Sequence, residues 1–116
     1  MKSPLTRREG LFALGTTYLC DARTGALSKA GTVGAAFNAG YLALLAALPV
    51  EHARGGIDHP NAVMASEGCR LLGVSGADIN MALSLVEAYY DGTHVRFDVA
   101  ETLAWAERMR SAVQLT

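Results

Sequence analysis

Two short stretches bring together side chains that could do chemistry. The first runs Tyr89-Tyr90-Asp91-Gly92-Thr93-His94-Val95-Arg96-Phe97-Asp98. A tyrosine pair, then an imidazole that titrates near neutrality, then a planar guanidinium fork suit the mouth of a pocket for a carboxylate or phosphate. Tyr90, Asp91, His94, Arg96 and Asp98 are the candidate ligand-binding residues. The plainer reading is that Arg96 pins an interhelical loop by pairing with Asp91, Asp98 or a carbonyl, with His94 at the surface. The second stretch holds His52, Arg54, Asp58 and His59 around Gly55-Gly56. Two histidines and an aspartate invite a metal, but they sit in a glycine-rich loop without the helix-borne spacing of a zinc enzyme, so no metal is expected. Their plainer role is that Asp58 or His59 caps a helix.

Other chemistries find no support. Ser28, Ser66, Ser75 and Ser84 lack a nucleophile-elbow setting. The glycines are scattered rather than gathered into a phosphate loop, so no nucleotide or other cofactor is expected. A net charge of -1 gives no broad positive field for nucleic acid, which disfavours RNA without removing a small RNA site. Cys20 and Cys69 are too far apart to suggest a disulfide framework or zinc site, and both read as buried free thiols. The N-terminal residues lack a signal-peptide pattern, which makes the cytoplasm the expected compartment.

The elements that must position these residues are helices. The organising stretch is Val33 to Leu48, V-G-A-A-F-N-A-G-Y-L-A-L-L-A-A-L, apolar on nearly every side and therefore in need of cover on nearly every side. Val33 to Val50 is just about the ~18 residues a membrane-spanning helix requires. Asn38, Pro49, the excess of Ala and Gly over Leu and Ile, and the lack of basic anchors apart from Lys29 argue against spanning. Before this stretch, Thr6 and Glu9 form a capping box for a helix presenting Leu11, Leu14, Tyr18 and Ala22, which ends at Arg23-Thr24-Gly25. The central helix starts after Ser28 or Thr32. Pro60 suits the first turn of a short third helix closed by Gly73. Ser75 caps a fourth, with Ile79, Ala82, Leu83, Val86 and Tyr90 on its apolar face. Asp98 and Glu101 open the last, with Val99, Leu103, Ala106, Arg110 and Val113 on one side and Trp105 and Met109 on an adjacent one.

No segment alternates with a period of two, so no sheet is expected. The expectation is one all-α domain over residues 1–116, an up-and-down four-helix bundle with an additional short helix. Hydrophobic residues make up 51% of the chain and charged residues only 18%. With Phe12, Leu19, Trp105 and Met109 lying beside the main apolar stripes, that composition leaves surface to cover and predicts a homodimer.

The segment from Tyr89 to Arg110 resembles the C-terminal part of HEPN-like helical domains. The likeness lies in a helix ending in tyrosine, an arginine and aromatic in a short loop, and an Ala-rich last helix behind a capping acid. The stretch Gly34 to Tyr41 resembles their second helix, and His59 falls where such domains often place a histidine. Within that family, ribonucleases pair an arginine with a histidine, four to six residues lying between them, and cleave RNA without metal. The resemblance would make Arg54 and His59 the catalytic pair, although Gly55 and Gly56 depart from the usual polar residue after the arginine and the downstream tyrosine is missing. Other members act as non-catalytic modules that bind a small ligand or a protein partner. The departures favour that second role here.

Overall fold

The computed structural model describes residues 5–53 and 55–113. Among them are five α-helices and no strand: α1 (Arg7–Arg23), α2 (Lys29–Ala47), α3 (Ala62–Leu72), α4 (Gly76–Asp91) and α5 (Val99–Ala112), with a single 3₁₀ turn at His94–Arg96 before α5. The all-helical bundle is the architecture the apolar periodicity predicts.

Local chemistry sets most helix starts. Thr6 Oγ1 accepts from the Glu9 N–H at 3.1 Å, and the Glu9 carboxylate accepts from the Thr6 N–H at 3.0 Å. That closed box satisfies two otherwise orphaned donors and holds the Glu9 carboxyl below its ordinary pKa. Ser28 caps α2, its Oγ taking the Gly31 N–H at 3.0 Å, so Thr32 is an interior, buried residue of the helix rather than its start. Ser75 caps α4 and Asp98 caps α5. The start of α3 differs from expectation. Its cap is Asn61, whose Oδ1 accepts from both Val63 and Met64 N–H groups, at 2.7 and 3.2 Å. Asp58 and His59 lie too far back to reach those donors, and Pro60 precedes the cap.

The α2 helix is the axis of the molecule. Phe37, Ala39, Tyr41, Ala43 and Leu44 are fully buried, and α1, α3, α5 and the 3₁₀ turn all pack on it. By length and composition α2 could cross a membrane; here most of it is buried against its neighbours. Small residues allow the close crossings. A β-carbon on Gly68 would stand 2.8 Å from Leu44, so α3 meets α2 backbone to backbone there. A β-carbon on Gly40 would stand 2.3 Å from the Trp105 ring, which fills the slot that Gly40 leaves in α2. Trp105 is fully buried and its indole N–H donates to the Asp78 carbonyl at 3.1 Å, tying α5 to the first turn of α4. The Asp78 carboxylate is also buried and takes a two-pronged bond from Arg108, at 2.8 to 3.1 Å.

The C-terminal end of α2 is finished from elsewhere. Arg7 reaches the carbonyls of Leu45 and Leu48, and Arg8 Nε donates to the Ala46 carbonyl at 2.9 Å. The Leu45 carbonyl also takes the N–H of the C-cap residue Leu48, at 3.1 Å, and cationic donors at a helix C-terminus complement its dipole. On the other flank, Arg110 lies 3.9 Å over the Phe12 ring and donates to the Phe12 carbonyl, fastening α5 to α1. Arg23 and Glu107 form a further ion pair between those helices.

Several buried faces are rotated from those read in the sequence. On α1, Gly15, Leu19 and Ala22 are buried and Leu14 is exposed. On α4, Leu85 takes the core position and Tyr90 does not. On α5, Thr102, Trp105, Ala106 and Met109 face inward. Trp105, Met109 and Leu19 are therefore covered within one chain, and Phe12 is partly covered by Arg110, so three of these four residues offer no surplus apolar surface. Cys69 is buried as expected, but Cys20 is exposed.

Candidate functional site

The C-terminal cluster is built on the junction between α4 and α5. Gly92 ends α4 in the left-handed conformation, at φ 68°, and the Thr93 N–H closes back on the Ala88 carbonyl at 3.0 Å. The chain then makes its 3₁₀ turn, held by its own backbone: Arg96 N–H to Thr93 carbonyl and Phe97 N–H to His94 carbonyl, each at 3.0 Å. The Arg96 and Asp91 side chains are exposed and make no hydrogen bond or ion pair among the described residues. The pinning role considered for Arg96 is thus filled by main-chain bonds. The Asp98 carboxylate is spent on the Glu101 N–H at the start of α5.

His94 turns inward rather than to the surface. Its ring centroid lies 5.9 Å from that of Phe37 on α2 and 6.4 Å from that of Tyr89 on α4. It also lies against Gly34 of α2, where a β-carbon would make an ordinary contact with Nδ1 at 3.4 Å. Nε2 is buried and has no hydrogen-bond partner. Burial pushes the imidazole pKa below its ordinary value, with the Leu85 carbonyl pulling the other way.

The two stretches singled out in the sequence meet through tyrosines. Tyr89 donates its hydroxyl to the Asp58 carbonyl at 2.9 Å, and Tyr90 donates to the Pro60 carbonyl at 2.5 Å. From α2, the Tyr41 hydroxyl accepts the Asn61 N–H at 2.8 Å, and burial raises its pKa. Three hydroxyls therefore grip residues 58–61, the connection that carries His59. That residue is exposed, with its N–H bonded to the Gly56 carbonyl at 3.1 Å. Arg54 lies outside the described residues. Among the described residues no three His, Cys, Asp or Glu side chains gather in a way that could hold a metal ion. Tyrosine types and positions were legible in the sequence. Their partners, 20 to 31 residues away, were not, because a phenol's hydrogen-bond partner is set by tertiary packing.

Surface depressions lie elsewhere. One, of about 340 Å³, is lined by Pro49, His52, Glu67, Arg70 and Leu71, between α3 and the chain leaving α2. Another of the same size, at the end of the bundle, is lined by Arg8, Ala47, Leu71, Leu72, Ala112 and Val113. Both open to solvent. Leu71, 61% exposed, stands as the ridge between them, and Val63 on the same helix is 59% exposed. Val63 and Leu71, at an eight-residue step, share a helix side. Comparison with family models, with curated proteins and with solved structures gave no significant match.

Proposed function

We propose that this chain is a non-catalytic, HEPN-like helical module that acts by binding a protein partner through its exposed apolar side chains. The observation that carries the reading is where the polar tips of the C-terminal cluster go. The Tyr89 and Tyr90 hydroxyls are bonded to the chain's own carbonyls, the Asp98 carboxylate caps α5, and His94 points into the bundle. A site for a small ligand needs several polar groups converging on an open volume. Of this set, Asp91 and Arg96 are the exposed and unengaged members, while the depressions around Leu71 are lined by other residues. An exposed leucine between two grooves is the kind of feature that protein partners cover.

The competing role is a metal-independent ribonuclease with His59 as the proton-transfer group and Arg54 meeting the charge on phosphate oxygens. The test is incubation with single-stranded and structured RNA in excess chelator, comparing the native chain with Arg54→Ala and His59→Ala. The module reading expects RNA to remain intact with all three. Cleavage by the native chain that both substitutions abolish would overturn it.

A further inference from the structure

We propose that the partner of the α3 face is a second copy of this chain, with α3 packed antiparallel on its twin about a two-fold axis that passes between Glu67 and Arg70. This rests on the reading of the chain as a binding module and names its occupant. At about 100° of rotation per residue, Val63, Glu67, Arg70 and Leu71 fall within an arc of about 100° on one side of α3. Val63 and Leu71 are largely exposed, Arg70 is exposed and Glu67 is partly so. Glu67 and Arg70 line the same depression beside Leu71. They stand three residues apart on the helix, a spacing that permits a pair. Yet neither side chain makes a hydrogen bond or ion pair among the described residues.

An apolar–acidic–basic–apolar order on one helix side is self-complementary when reversed. In a two-fold interface, residue i of one copy meets residue j of the other, and j meets i. Centring the axis between positions 67 and 70 puts each Glu67 opposite the second copy's Arg70, so two ion pairs form at once. The same centring brings each Leu71 over the second copy's Ser66. Each Val63 then lies toward the second copy's Leu71, about three residues, or roughly 4.5 Å, along the axis. The leucines and valines would flank the charges and shield them from water, which strengthens pairs that are weak on an open surface.

Sedimentation of the native chain across micromolar concentrations should show a reversible monomer–dimer equilibrium. Glu67→Arg and Arg70→Glu, each alone, set like charges opposite one another twice and should weaken the dimer at least about tenfold. An equimolar mixture of the two variants should pair again, because each then supplies the charge the other lacks. The double variant Glu67→Arg/Arg70→Glu should also dimerise. Both positions lie on the surface, and circular dichroism of each variant checks that the fold is retained. A monomer at every concentration overturns the pairing, as does a dimer indifferent to either swap, or a dimer lost in both variants that neither the mixture nor the double variant restores. None of these results is RNA cleavage, so failure of the pairing is distinct from failure of the module reading.

Discussion

Replacing Gly40 with alanine should destabilise the protein even though alanine is the better helix former. In an exposed helix interior the exchange would gain about 1 kcal/mol. At Gly40 the added carbon would lie 2.3, 2.7 and 3.0 Å from three atoms of the Trp105 ring. Carbon contacts settle at about 3.5–4.0 Å, so the ring must retreat by more than about 1 Å. It has little freedom to do so. Trp105 is fully buried, and sliding it away stretches the indole bond to the Asp78 carbonyl, a bond worth about 1 kcal/mol. Overpacking of a tight core costs about 1–3 kcal/mol. With the indole bond added and the propensity gain subtracted, the net loss should be about 2 kcal/mol, which for a chain of this size lowers Tm by roughly 8 °C. Urea denaturation followed by far-ultraviolet circular dichroism measures it. Gly10 supplies the contrast, since a β-carbon there meets nothing within 4 Å and Gly10→Ala should stabilise. If Gly40→Ala raised stability as Gly10→Ala does, the slot-and-ring account of the α2–α5 contact would be wrong. A double-mutant cycle with Trp105→Phe should show strong non-additivity, because both changes act on one contact.

Other outcomes follow from the buried groups. The His94 pKa is depressed in the folded state, so below the ordinary imidazole value of 6.5 the unfolded chain binds more protons. His94 should therefore cost no stability above that value and make stability fall as pH drops through it toward the folded pKa, by at most about 1.4 kcal/mol per pH unit. Urea midpoints across this range should show the fall, and His94→Phe should remove it; a variant with the same fall would refute the assignment. The Cys69 thiol is pushed up to about 11 by burial, while Cys20 is exposed, so a thiol reagent at neutral pH should label one cysteine in the native chain and two after denaturation. Fast labelling of both in the native state would contradict the packing around α3. Tyr41→Phe should leave the Asn61 N–H without its acceptor and cost about 1–3 kcal/mol, with hydrogen exchange at that amide as the sensitive readout.

What could be read from the sequence was what local chemistry decides. Thr6, Ser75 and Asp98 act as caps because a side-chain oxygen a few atoms from the orphaned N–H groups suffices. Gly73 stops α3 because its positive φ, 71°, comes cheaply only to glycine. The all-round apolar character of α2 likewise announced its central place. What could not be read was decided across the chain. Leu14 and Leu19 are equally apolar, and which of them faces inward depends on how α1 lies on α2. Trp105 looked like a residue beside the core because the slot that receives it belongs to Gly40, 65 positions earlier. The chemistry-bearing residues were identified by type, but the direction of each tip was not. His94 turns inward against Phe37 of α2, 57 positions earlier, and Tyr89 and Tyr90 reach a loop about 30 residues back.

The grip of Arg7 and Arg8 on the last carbonyls of α2 carries a consequence for how the protein comes apart. Helix ends ordinarily fray one at a time, each at its own small free-energy cost. Here the opening turn of α1 and the closing turn of α2, 38 to 41 residues distant in sequence, share the same bonds. Neither can loosen without stripping donors or acceptors from the other, so the two ends should melt as one unit. Native-state exchange should then report a common opening energy for amides near Gly10 and near Leu48. The hairpin is thus a ring, closed by the loop at one end and by these bonds at the other, and a cut in the loop would leave its two helices latched at the far end.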